Sequence, residues 1–364
     1  MSVVAEPRLA MAPQSVVLTR STDGSVHLCS PQTLKPHAST VSEWLEYWAR
    51  VSPEKVFLAE RDAHQNWRKL TYAEALDSVQ SIAQGLLVAG LNAERPLMVL
   101  SENSIDNAKL SLAAMHVGIP VVPVSAAYSL MDPSLDKLRH IAGVVSPGMV
   151  YASDEHRYAK ALAAVGAPWA VVADLQAHKP TEQVARAHAA TGPDTLAKIL
   201  FTSGSTGHPK GVMNTQRMLT ASQQQSVQVW QFVEDEPPVV VDWLPWNHTF
   251  GGNYNFNLVL STGGTLYIDA GKPVPGLFDE TIRNLKDVAP TMYFNVPRGF
   301  DLLLPQLEGD AEFCSHFFAR CRFVFYAAAA LPQSVYDAFM RLARRERGED
   351  FMLVSAWGAT ETAP

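Results

Sequence analysis

An apolar strand, Ile199-Leu200-Phe201, runs directly into the ten residues Thr202 to Gly211, TSGSTGHPKG, and this junction constrains the fold more than any other part of the chain. The run holds three glycines, four hydroxyls, one proline and one lysine. Glycines permit positive φ and let backbone N–H groups close on an anion, the hydroxyls add donors, and Lys210 adds a point charge. Composition alone would describe a flexible linker. With a strand before it and Pro-Lys-Gly ending it, the run reads as a polyphosphate cradle at the carboxyl end of a strand. It is not a Walker A loop: counted from Gly204 the sixth position is Pro209, and Lys210 is followed by Gly211 instead of Ser or Thr. The dinucleotide fingerprint GxGxxG fails as well.

The surrounding pattern alternates strand and helix. Thr40-Val41-Ser42-Glu43 and Thr71-Tyr72-Ala73-Glu74 have the spacing of capping boxes, each opening an amphipathic helix, the second closing near Gly90. Short apolar runs predict strands at Leu97–Leu100, Val121–Val124, Met149–Tyr151 and Ala170–Val172. A polar stretch, His178 to Thr195, separates these from a second series at Lys198–Thr202, Val239–Trp243, Thr265–Ile268, Thr291–Phe294, Phe323–Tyr326 and Phe351–Ser355. Such alternation predicts an α/β fold with parallel sheets covered by helices. The expected division is an N-terminal extension (1–38), a first α/β subdomain (39–190) and a second one carrying the phosphate loop (191–364).

Composition narrows the class of function. With 47% hydrophobic and 18% charged residues in 364, the chain is globular and large enough for two cores. A net charge of -7 argues against nonspecific nucleic-acid binding, so phosphate affinity has to be local. Cys29, Cys314 and Cys321 lack metal spacing and are expected as buried or incidental thiols in a reducing compartment. No secretory signal is visible in MSVVAEPRLAMAP, and a cytoplasmic location is expected. Leu110 to Ala127 is nearly uncharged, but Pro120 and Pro123 interrupt it; it reads as a buried helix leading into a central strand, with no transmembrane segment.

TSGSTGHPKG resembles the phosphate-binding signature of the adenylate-forming enzymes, which include acyl-CoA and aryl-CoA synthetases, adenylation domains of peptide synthetases, and luciferases. Two further segments resemble the family in the expected order. WGATE, Trp357 to Glu361, is similar to the aromatic-Gly-x-Thr-Glu motif, and YAAAALP, Tyr326 to Pro332, to the small-residue segment beside the adenine and acyl pockets. A fourth, WLPWNHTFGG from Trp243 to Gly252, matches the segment bordering the carboxylate pocket. Here tryptophan stands where tyrosine is commoner, and alanines replace the usual glycines.

The resemblance implies two stacked βαβ-type subdomains of the adenylate-forming N-terminal domain. It also implies that ATP is bound by Thr202, Ser203, Gly204, Ser205, Thr206, Gly207, Lys210, Trp357, Gly358 and Thr360. Glu361 would hold Mg²⁺, and Lys210, His248 and Glu361 would serve catalysis. His248, Phe250, Asn253, Tyr326, Ala327, Ala328 and Ala329 would form the acyl and adenine pocket. The chemistry so implied joins a small-molecule carboxylic acid to AMP, expels pyrophosphate and passes the acyl group to coenzyme A. Aromatic residues available to the acyl pocket are Trp243, Trp246, Phe250, Tyr254, Phe256, Tyr293 and Phe294; Arg298 and Lys272 are available to its carboxylate. The strings DWLPWNHTFGGNYNFNLVL, GGTLYID and PTMYFNVPRGF look like the feruloyl-CoA synthase branch, which activates hydroxycinnamic acids.

In that family the chain continues past the Thr-Glu motif through a ribose-binding Asp, a hinge and a small C-terminal domain with a catalytic Lys. Those parts, and the distal barrel, are not expected among these residues, so the chain is expected to be a fragment or truncated form of a longer ligase. Three other readings stay open at this point: a noncatalytic ATP-binding or acyl-binding remnant, a fatty-acyl-CoA ligase, and an adenylating enzyme that releases its acyl-AMP or passes it to a carrier protein.

Overall fold

The computed structural model describes residues 9–202, 207–348 and 351–363. Within them the expected α/β alternation forms a five-stranded, a four-stranded and a three-stranded sheet, plus an exposed hairpin of Val17–Arg20 and Val26–Cys29. The five-stranded sheet runs Met149–Ala152, Leu97–Leu100, Val121–Pro123, Leu196–Thr202, Lys210–Thr215. Its strands are parallel except the last, which returns antiparallel to its neighbour. The four-stranded sheet runs Val239–Asp242, Thr265–Ile268, Val56–Arg61, Trp67–Thr71, the last again antiparallel. Strand pairing crosses residue 190 in both sheets: Val56–Arg61 joins Thr265–Ile268, and Val121 pairs with Lys198.

The three-stranded sheet, Met292–Asn295, Phe323–Tyr326 and Met352–Ser355, is wholly parallel. It abuts the edge of the four-stranded sheet, where the Thr291 N–H donates to Val239 O at 2.9 Å. Parallel strands buried on both faces are near-continuously apolar, and Leu97–Leu100, Met149–Ala152 and Met292–Asn295 are buried at every position.

Local corrections have local causes. Ala170–Val172 is not a strand: Trp169 makes only an isolated bridge to Val150, and Val172–Gln176 is helical. Thr71 forms the full capping box, but the Thr40 side chain does not cap its helix: the Glu43 N–H donates to Thr40 O at 3.3 Å, and Glu43 Oε2 accepts from the Ser39 N–H. Ile105–His116 and Val121–Pro123 are the expected buried helix and central strand. Among the described residues no helix is long and apolar enough to cross a membrane.

Candidate active site

The parallel strands Phe323–Tyr326 and Met352–Ser355 end side by side, with Tyr326 opposite Ser355 in the register. The chain leaves them as Ala327–Ala329 and Ala356–Gly358, and these two segments form two sides of a cleft of about 630 Å³. The third side is His248–Phe250 with Tyr254. The cleft thus lies beyond the carboxyl ends of the strands, where open α/β sheets bind ligands.

The third side needs an unusual backbone. Phe250–Asn255 is a π-helix, a form that occurs mostly as short bulges at functional sites. Two glycines make it possible. A Cβ on Gly251 would lie 2.3 Å from Leu244 O, and one on Gly252 2.1 Å from Trp246 O. The approach to this helix is fixed by buried groups. Asp242 accepts from the Leu244 N–H at 2.9 Å and from Asn255 Nδ2 at 2.8 Å, and burial pushes its pKa up to about 7. Asn103 donates to Leu244 O and accepts from the Trp246 N–H.

An aromatic floor results. Tyr254 stacks on Phe325 with ring centroids 5.5 Å apart, and Phe250 lies 5.6 Å from Phe325 and 6.4 Å from Tyr254. At the mouth Trp357 is 90% exposed. Opposite the floor, Ala328 holds φ at +75°, in the left-handed region that costs a non-glycine residue about 1–2 kcal/mol.

His248 faces the cleft with its Nδ1 accepting the Phe250 N–H at 3.3 Å. That bond puts the neutral ring's proton on Nε2. Burial lowers its pKa, so the ring is neutral at physiological pH.

A buried polar chain connects this side to the strand Lys210–Thr215. Lys198, fully enclosed, donates to Gly252 O at 2.9 Å and to Asn253 Oδ1 at 3.4 Å, and burial lowers its pKa to about 8. Asn253 Nδ2 donates to Asn214 Oδ1 at 3.0 Å, and Asn214 Nδ2 reaches Thr360 O at 3.5 Å. The turn Thr360–Thr362 is therefore tied to the strand Lys210–Thr215, which begins at the signature lysine.

Of the sequence-derived residues, His248, Phe250, Ala327, Ala328, Ala329, Trp357 and Gly358 line the cleft. Asn253 lies buried behind it. Tyr326 is a correction: it packs on the opposite face of its strand, against the cluster around Phe300 and Phe317, and Phe325 takes the place expected for it. Of the other aromatic candidates, Tyr254 lines the cleft, while Trp246, Phe256, Tyr293 and Phe294 are core and Trp243 donates to Asn295 Oδ1. Neither Arg298, 3.8 Å from Asp301, nor Lys272 lines the cleft.

Thr202 and Lys210 are paired residues at the loop end of one hairpin, with Lys210 exposed and Gly207 at φ +91° in the connection. Ser203, Gly204, Ser205 and Thr206 lie outside the described residues. Glu361 is exposed, and among the described residues none pairs with its carboxylate. An exposed carboxylate of this kind suits a hard cation that draws its remaining oxygens from phosphate and water. Sequence reasoning missed Thr249, Phe325, Ser355 and Ala356 in the lining, and Lys198 and Asn214 behind it.

Residues 45–364 match the family described as AMP-binding enzyme. Carboxylic acid reductase of Mycobacterium marinum is 26% identical over 311 residues, covering 77% of this chain and 24% of the reductase. Trichosetin synthetase PKS-NRPS1 of Gibberella fujikuroi is 24% identical, covering 92% of this chain and 8% of the synthetase. The chain thus spans a quarter or less of these relatives. Among solved structures, McyG A-PCP complexed with phenylalanyl-adenylate superposes with a TM-score of 0.74 at 18% identity, over 91% of this chain and 52% of McyG. Fatty acyl-adenylate ligase from L. pneumophila, in complex with acyl adenylate and pyrophosphate, gives 0.67 at 17% identity, over 86% of this chain and 53% of the ligase. Both share the fold.

Proposed function

The chain belongs to the AMP-binding enzyme family, and we propose that its cleft holds an aromatic carboxylic acid of the hydroxycinnamic class while ATP activates it. The observation that carries the substrate class is the floor of Phe250, Tyr254 and Phe325 facing a side made only of alanines. A planar aryl group stacks on such a floor, and the alanines leave it room.

In the proposed reaction a carboxylate oxygen attacks the α-phosphorus of ATP. The bond from that phosphorus to the bridging oxygen breaks, and acyl-AMP and pyrophosphate form. Two anions have to meet, so the residues that screen phosphate matter most. Lys210 and the loop between the hairpin strands would cradle the β and γ phosphates and stabilise charge on the departing pyrophosphate. Mg²⁺, held through Glu361, would supply further screening of the phosphates. Trp357 would lie beside the adenine, and Thr360 would contact the α phosphate. His248, neutral and with its Nε2–H available, would donate to the substrate carboxylate without adding charge.

The acyl-AMP would next react with a thiol, whose sulfur replaces AMP at the acyl carbon. Coenzyme A is the acceptor proposed from the sequence. A carrier-bound thiol is the second reading, favoured by the likeness to peptide synthetases. The experiment is to incubate the chain with ATP, Mg²⁺ and ferulate and follow pyrophosphate, then add coenzyme A. Pyrophosphate release without thioester formation would favour the carrier; ATP binding with no pyrophosphate would leave a noncatalytic binding module.

A further inference from the structure

Three helices outside the cleft bring together a set of side chains that the adenylation chemistry does not use. Glu46 is on Val41–Val51, His116 ends Ile105–His116, and His188 is near the end of Glu182–Ala190. A ring nitrogen of each histidine and a carboxylate oxygen of Glu46 lie within 4.8 Å of one another. None of the three lines the cleft.

Two groups define the cluster. His188 Nδ1 lies 3.1 Å from His116 O, a carbonyl that can only accept, so Nδ1 carries a proton. In the neutral ring Nε2 then bears a lone pair, yet it faces Glu46 Oε1 at 2.9 Å. The contact is that of an ion pair between protonated His188 and Glu46, and a metal ion bound there would displace that proton. The second group is His116, 2% exposed, whose Nδ1 is buried with no hydrogen-bond partner. An unsatisfied buried nitrogen costs about 1–3 kcal/mol.

We propose that Glu46, His116 and His188 form a binding site for a divalent transition metal ion of the zinc class, which clamps the three helices together. Two imidazoles and one carboxylate are a donor set that zinc accepts, with water as fourth ligand. Imidazole donors disfavour the hard cations Mg²⁺ and Ca²⁺. The Nδ1–H donated by His188 to a backbone carbonyl is the outer-shell bond that orients a ligating histidine through Nε2. Zinc bonds of about 2.0–2.2 Å place ligand atoms roughly 3.3–3.6 Å apart; the His116 and His188 rings stack with centroids 4.1 Å apart and planes at 13°, so one ring turns out of the stack when both ligate. The half-exposed Glu46 and His188 leave a path for the ion and its water.

The test is titration of chelator-treated, desalted protein with zinc chloride at neutral pH, followed by calorimetry, and with cobalt chloride, followed by visible absorption. The variants are Glu46→Gln, His188→Gln and His140→Gln, the last probing the separate pair of His140 and His208, whose rings lie 4.8 Å apart. Circular dichroism establishes that each variant is folded. The expected result is one equivalent bound by the wild type, with affinity lowered about tenfold or more by each of the first two substitutions and unchanged by the third. Zinc should also raise the unfolding midpoint of the wild type but not of His188→Gln. No binding, which would mean that only a proton bridges Glu46 and His188, overturns the proposal. So does binding that survives both substitutions, or that is lost only with His140→Gln.

Discussion

Asn253 Nδ2 donates to Asn214 Oδ1 at 3.0 Å, and this bond joins the π-helix at the cleft to the strand that begins with Lys210. Lys198 below and Thr360 above extend the link, so one buried chain spans three sequence motifs. Replacing Asn253 by Ala removes one acceptor from a buried ammonium and the donor to Asn214. The variant should lose about 1–3 kcal/mol in urea unfolding, and pyrophosphate release should slow even in the fraction that is folded. Unchanged stability would mean that the chain of bonds carries no load.

Gly252→Ala should be far more damaging, since its Cβ would sit 2.1 Å from a backbone oxygen that no rotamer can move. A loss of about 3 kcal/mol or more is expected from such overpacking. Equilibrium unfolding checks it, and a near-neutral result would refute the π-helix as drawn.

Ala328→Gly should act in the opposite sense. Removing the Cβ relieves about 1–2 kcal/mol at φ +75°, while greater freedom of the unfolded chain takes back about 0.4–1 kcal/mol. A net gain of up to about 1.6 kcal/mol should appear as a higher urea midpoint; a lower one would contradict the positive φ at this position.

Asp242 links stability to pH. Its folded pKa, raised to about 7 chiefly by burial, exceeds its ordinary value of 3.8, so the folded state holds the proton more tightly than the unfolded state. The stabilisation is full below the unfolded pKa and is lost as pH rises towards 7. Asp242→Asn should flatten that part of the curve, leaving the slope from the similarly raised Asp269. An unchanged slope in denaturation series between these pH values would sink the assignment.

The ease of reading the sequence followed the physics. Thr265–Ile268 and Phe323–Tyr326 are strands at the predicted positions because they are short apolar runs between breakers. Val56–Arg61 and Trp67–Thr71 escaped notice because they mix charge with apolar residues, and only their pairing across the sheet makes them strands. The cleft was legible where motifs carry chemistry, at His248 and Trp357. It was misread at Tyr326, although the period of two in Phe-Val-Phe-Tyr already puts Phe325 on the face opposite Tyr326. Lys198 was the overlooked signal: a lone charge within Leu-Ala-Lys-Ile-Leu-Phe has to find buried partners, and those partners proved to hold the site together.

Within the site, Lys210→Ala should slow adenylation more than it weakens acid binding, and Glu361→Gln should raise the Mg²⁺ concentration needed for half-maximal rate. Steady-state titrations of acid and metal check both; unaltered Mg²⁺ dependence would remove Glu361 as the ligand.

The most direct test is acid-dependent exchange of labelled pyrophosphate into ATP, measured with ferulate, p-coumarate and caffeate against a long-chain fatty acid. A cleft floored by Phe250, Tyr254 and Phe325 predicts exchange with the aryl acids that exceeds the fatty acid by about tenfold or more, equivalent to about 1.4 kcal/mol of selectivity. Exchange that is equal or faster with the fatty acid, or absent with every aryl acid, would contradict it.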